Sequence, residues 1–133
     1  MKIDKNCRYA ETHEWVRVEG DLATAGVSDY AQSQLSDVVY VELPEVGDAF
    51  DQGEAFAVVE SVKAAADVYM PMGGEITEVN EELSGSPELV NQDAFGEGWL
   101  IQFTPSDLSE LDGLMTPEEY QEHVAKEEEE GGH

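Results

Sequence analysis

The apolar residues of this chain come in short runs that turn signals keep interrupting, and this limits the folds open to it. The longest uninterrupted apolar runs are Ala55–Val59 and Val38–Val41. Glu14-Trp15-Val16-Arg17-Val18 is followed by Glu19-Gly20-Asp21 and then by Leu22 to Gly26. Val38–Val41 leads into Leu43-Pro44-Glu45-Val46-Gly47-Asp48, and Phe56–Val59 is apolar again. After Gly73-Gly74, Glu75-Ile76-Thr77-Glu78-Val79 alternates, and Trp99-Leu100-Ile101-Gln102-Phe103 ends before Pro105. Strands this short, with turns this frequent, predict a sandwich or barrel of small sheets. No run approaches the ~20 apolar residues of a membrane helix. Met1–Asn6 lacks the apolar stretch of a signal peptide, so a cytoplasmic protein is expected.

Two segments read as helices. Ser28 is placed to cap a short helix over 28–36, with Tyr30, Ala31 and Leu35 on one side. Thr116, Pro117 and Glu119 combine a capping box with proline at the first helical position, predicting a helix over 117–127. Its Glu-rich end lies at the negative pole of the helix dipole, so residues 127–133 are expected to fray as an acidic tail. With 133 residues, one domain spanning 1–133 is expected, its core over about residues 8–125. Glu60-Ser61-Val62-Lys63-Ala64-Ala65-Ala66 has no Gly, Pro or Asn, and propensity alone favours a helix there.

Charge excludes whole classes of partner. Asp and Glu number 31 against 6 Lys and Arg, a net charge of −25. Such a chain cannot neutralise a run of phosphates, and its field repels nucleic acid and anionic lipid. The acids are spread evenly, and only Glu127–Glu130 forms a run. An even coat with few cations suits concentrated salt, where the Debye length is about 3 Å at 1 M, so a protein from a salt-adapted organism is expected.

Enzyme chemistry finds little footing. His13, His123 and His133 are far apart in sequence, and Cys7 is the only cysteine, so neither a metal cluster nor an internal disulfide is expected. Cys7 falls in a terminus expected to be mobile, and His13 and Glu14, at strand spacing, should face opposite ways. Gly96-Glu97-Gly98 lacks the rest of a dinucleotide loop. No catalytic residue and no metal are assigned.

Lys63 stands apart. Between Val18 and Ala125 it is the only cation. A primary amine kept alone in such a background is either an ordinary lysine paired with Glu60 or Asp67, or a nucleophile or site of covalent modification.

Three segments around it narrow the choice. Gly47–Glu54, Glu60-Ser61-Val62-Lys63-Ala64 and Pro71-Met72-Gly73-Gly74-Glu75-Ile76 resemble the biotinyl/lipoyl carrier domains. With His13–Val16, Gly26–Gln32, Val41–Asp48, Asn80–Leu83, Pro87–Asn91 and Gly96–Leu100, they resemble one branch, the H-protein family of the glycine cleavage system. The matches are collinear over roughly residues 8 to 125. Biotin carriers place Met on both sides of the lysine, and lipoyl domains of 2-oxoacid dehydrogenases usually read Asp-Lys-Ala; this chain has Val62-Lys63-Ala64. Two departures stand out. Ser36 occupies a position where the family usually has Gly, at the end of the first helix, and Met72-Gly73 replaces a more usual small-polar pair.

The resemblance implies a mainly β, lipoyl-type hybrid barrel-sandwich of two small sheets, and it overrules the helical reading of 60–66 by putting Lys63 on a hairpin turn. It implies lipoate amide-linked to Lys63, with Glu60 and Gly74 recognised by the lipoate-attaching enzyme. Thr12, Glu14 and Asp67 become candidates for a groove that shelters the arm. The implied role is that of a monomeric, non-catalytic carrier. It would take an aminomethyl group from glycine decarboxylase, present it to aminomethyltransferase, and be reoxidised by dihydrolipoyl dehydrogenase. A lipoyl carrier or donor serving 2-oxoacid dehydrogenases or a related pathway is the alternative, and the same tip would serve both.

Overall fold

The computed structural model describes residues 1–131; His133 lies outside the described residues. Arg8–Tyr9 (β1) pairs with Glu14–Glu19 (β2), which turns through Gly20 and Asp21 into Leu22–Val27 (β3) with Glu14 opposite Val27. A short helix, Asp29–Leu35 (α1), follows, and Ser28 caps it by accepting from the Ala31 amide at 3.1 Å. Val38–Glu42 (β4), Ala49–Phe50 (β5), Ala55–Ser61 (β6), Ala65–Tyr69 (β7) and Gly74–Val79 (β8) come next. Leu89–Gln92 (α2), Ile101–Pro105 (β9) and Pro117–Gly131 (α3) complete the described chain, with short 3₁₀ segments at Glu81–Ser84 and Leu108–Gly113.

These strands make two sheets, ordered β1-β2-β3-β9-β8-β5 and β4-β6-β7. Their inner faces share one core. Val16, Ala25, Ile76, Ile101 and Phe103 from the larger sheet join Val41, Phe56, Val59 and Val68 from the smaller. Burying side chains of this size contributes about 1.5–3 kcal/mol each, more than any strand propensity can oppose. The expected mainly β barrel-sandwich of two small sheets is the observed one. None of the described helices is long and apolar enough to cross a membrane.

A second cluster holds the C-terminal helix in place. Cys7, Tyr9, Trp15, Tyr120 and Val124 are buried together, with Tyr9 and Tyr120 stacked at a centroid distance of 4.4 Å. The Trp15 indole donates to the Ala94 carbonyl at 3.0 Å. Cys7 is therefore not in a mobile terminus: burial pushes its thiol up to about 12. The capping box is made as expected, Thr116 N–H to Glu119 at 2.9 Å and Glu119 N–H to Thr116 Oγ1 at 3.2 Å. The helix then continues past 127 to Gly131. Glu127, where fraying was expected to begin, is held by His13 at 2.8 Å and by His123 at 3.3 Å.

Ser36 explains its own departure from the family pattern. It ends α1 at φ 71° and ψ −154°, a conformation that glycine adopts freely and that costs other residues about 1–3 kcal/mol. A positive φ at the end of the first helix is a setting that suits glycine, and here a serine carries that strain.

Candidate functional site

Residues 60–66 form a hairpin, not a helix. Glu60 pairs with Ala65 across β6 and β7, leaving Val62, Lys63 and Ala64 as the tip. Ser61 builds the turn. Its amide donates to the Ala64 carbonyl at 2.7 Å, and its Oγ accepts from the Lys63 and Ala64 amides at 3.2 and 3.0 Å. Local side-chain bonds of this kind compete with helix formation and outweigh the alanines' helical preference. The Val62 amide ties the tip to the Asp37 carbonyl at 3.0 Å, just before β4. Both Val62 and Lys63 are exposed, and Lys63 makes no salt bridge among the described residues. The pairing with Glu60 or Asp67 that would make it an ordinary surface lysine is not formed.

Against the same hairpin, from the Val59–Ala66 pair just below the tip, lies a cavity of about 320 Å³. Thr12, Glu14 and Asp67, the three groove candidates, all line it, with Val59, Ala66 and Val68 of the hairpin strands. Glu14 is the unusual group. It is 2% exposed, its carboxylate accepts from the Thr12 hydroxyl, and it also accepts from the Tyr69 amide at 3.0 Å. That last bond joins β2 of one sheet to β7 of the other. Burial raises the carboxyl above its ordinary range, while the Thr12 and Tyr69 donors pull it back by stabilising the charged form. Asp67 is exposed at the cavity's edge. A larger cleft of about 770 Å³ runs beside Tyr9, Gln52, Met70 and Leu114, but no buried carboxylate lines it.

The remaining lining was not foreseen. Tyr30, His13 and Glu127 also border the smaller cavity. His13 and Glu14 share it because His13 precedes β2 at φ 78°, where strand alternation does not apply. Burial holds the His13 imidazole below its ordinary value, opposed by the Glu127 carboxylate. Two of the histidines are also brought together: His13 and His123 stand 5.5 Å apart, ring centre to ring centre.

Glu60 and Gly74 occupy different settings. Glu60 is exposed on β6, three residues before Lys63 and opposite Tyr40. Gly74 is buried in the other sheet, paired with Phe50 and Pro105. A Cβ there would meet the Thr104 carbonyl oxygen at 2.4 Å and Phe103 Cδ2 at 2.7 Å. The glycine thus has a packing reason in addition to any part in recognition.

Two small sheets packed face to face, with a lysine displayed at an exposed hairpin tip, are the architecture of a lipoyl-type carrier domain. The family model described as glycine cleavage H-protein matches residues 7–127. The chain is 53% identical to the glycine cleavage system H protein of Halothermothrix orenii, covering 93% of this chain and 97% of that one. It is 55% identical to the H protein of Thermus thermophilus over 96% of this chain and 99% of the relative. The crystal structure of a glycine cleavage system H protein from Mycobacterium marinum superposes with a TM-score of 0.85 at 32% identity, covering 92% of this chain and 99% of that one. The chain belongs to the glycine cleavage H-protein family.

Proposed function

We propose that this protein is the lipoyl carrier of a glycine cleavage system, with lipoate amide-linked to Lys63, and that its single domain has no catalytic residue of its own. The observation that carries this reading is the exposed Lys63, without a salt bridge among the described residues, at a serine-locked tip above a cavity with a buried carboxylate, in a member of this family. The site suits the group. A lysine with no ion pair among the described residues is open to an attaching enzyme, and amidation forfeits none of the described salt bridges. When bound, lipoate supplies a dithiolane that accepts an aminomethyl group as its disulfide is reduced. The chain's residues supply carriage and shelter. The Ser61 turn fixes where the arm is rooted, and Glu60 offers a charge beside the tip for the lipoate-attaching enzyme. Glycine decarboxylase, aminomethyltransferase and dihydrolipoyl dehydrogenase would visit the same exposed tip in turn.

Thr12, Glu14 and Asp67 are proposed to shelter the loaded arm. Its amine is cationic, and a carboxylate held at the cavity floor by Thr12 and the Tyr69 amide is placed to receive it. Glu14→Gln keeps the shape and removes the charge. Hydrolysis of the loaded arm is expected to speed up roughly 10-fold or more, the equivalent of about 1.5 kcal/mol, the lower end for a hydrogen bond to a charged group. Adding Asp67→Ala should speed it further. Unchanged release of the one-carbon unit in both variants would remove these residues from the groove.

We also read the acidic coat as an adaptation to salt. Among the described residues, Arg17 makes the only salt bridges that do not involve histidine, at 3.3 Å to Asp4 and 3.8 Å to Glu19. Most of the other described carboxylates have no cation within salt-bridge distance, and salt should screen their mutual repulsion. Raising KCl from low concentration to about 1 M is expected to raise the melting temperature by several degrees. Equal melting in both would show that the coat does not burden the fold.

A further inference from the structure

One cluster at the wall of the groove, apart from Lys63 and Glu14, brings together chemistry that the sequence keeps far apart. His123 and Glu127 sit one turn apart on the same face of α3. His13 reaches them from the turn before β2, where its left-handed φ of 78° breaks the strand pattern. His13 Nε2 lies 2.8 Å from Glu127 Oε2, and His123 Nε2 lies 3.3 Å from Glu127 Oε1. One ligand atom from each residue falls within 4.8 Å of the others.

We infer that His13, His123 and Glu127 form a binding site for a single divalent cation of the borderline class, with zinc as its natural probe. Two imidazoles and a carboxylate are a ligand set that suits zinc, with the fourth position left to water. A tetrahedral centre with bonds of about 2.0–2.1 Å separates its ligand atoms by about 3.3–3.4 Å. The two imidazole nitrogens lie 2.8 and 3.3 Å from Glu127 but against different carboxylate oxygens, so a small rotation of these side chains must bring one oxygen within ligand spacing of both. The three side chains are 16%, 27% and 39% exposed, so a metal can enter without opening the core.

The surroundings fit a ligand histidine. His13 Nδ1 lies 2.8 Å from the Tyr120 hydroxyl, which lies 2.6 Å from Ser28 Oγ. A hydroxyl both donates and accepts. It can donate to Nδ1 while Nε2–H donates to Glu127, or accept from Nδ1–H and leave the Nε2 lone pair for a metal. The imidazole stays neutral in both arrangements, so the switch moves no net proton. His123 Nε2 also lies 3.0 Å from the Glu11 carbonyl, a contact it would exchange for the metal. Net charge of −25 raises the local concentration of any divalent cation. A bound ion would pin α3 to the wall of the arm cavity, which His13 and Glu127 both line. This site does not depend on lipoylation of Lys63.

The test is zinc titration of the full chain by calorimetry, without reductant, in about 1 M KCl to screen the acidic coat. One zinc per chain is expected, with a rise in melting temperature. His123→Ala and Glu127→Gln should each weaken binding more than about tenfold, whereas Glu128→Gln, one residue along, should not. Cobalt bound to the wild-type protein should give the intense visible absorption of a four-coordinate site, a readout that needs no variant. Absence of zinc binding would overturn the inference. So would unchanged affinity in both ligand variants, or equal weakening by Glu128→Gln, which would assign the ion to the acidic coat.

Discussion

Replacing Lys63 with arginine is expected to abolish glycine–bicarbonate exchange in the reconstituted system while leaving the melting temperature unchanged. Arginine keeps the charge and the length but offers no amine that can be acylated at neutral pH. Lys63 makes no salt bridge among the described residues and sits at an exposed tip whose turn is made by Ser61. Surface substitutions of that kind alter stability by no more than about 0.5 kcal/mol. Loss of exchange at unchanged stability assigns the effect to the amine. Exchange that survives in Lys63→Arg would mean that the carbon travels on another residue.

The second large effect is structural. Gly74→Ala places a methyl group against the Thr104 carbonyl oxygen and the Phe103 ring, at 2.4 and 2.7 Å. Thr104 lies in β9, which pairs with both β8 and β3, so its backbone cannot retreat without disturbing the larger sheet. Overpacking of this kind costs about 1–3 kcal/mol or more, out of the 5–15 kcal/mol that holds a typical domain together. A fall in melting temperature on the order of 10 °C is expected by thermal denaturation. Lipoylation well below that temperature separates packing from recognition. Normal attachment to folded Gly74→Ala would leave only the packing role, and slowed attachment would support the proposed contact with the lipoate-attaching enzyme.

Much of the fold was legible because burial on one face imposes a period of two. Residues 14–18, 22–26, 38–41 and 75–79 alternate or run apolar, and each lies within an observed strand. Strands β1 and β5 have two residues each, too few to display any period. The hairpin tip was hidden for another reason. Alanines at 64–66 favour a helix, and what overrides them is the set of Ser61 hydrogen bonds, which composition does not reveal. Family resemblance supplied what propensity could not.

The site was legible in part. Lys63 stood out against its acidic background, whereas Glu14 was one acid among 31 until burial set it apart. His13, His123 and Glu127 gave no usable signal, since more than a hundred residues separate the first from the other two. Stacking of Tyr120 on Tyr9 docks α3 beside the turn and brings them together. The same docking buries Cys7 and holds the helix beyond residue 127.

Intact-mass spectrometry of the native protein, followed by mapping of the modified peptide, addresses the central claim most directly. From cells able to make lipoate, the chain should carry one lipoyl group, located on Lys63, and Lys63→Arg should carry none. An unmodified native chain, or a lipoyl group located elsewhere, would contradict the assignment of Lys63 as the carrier residue.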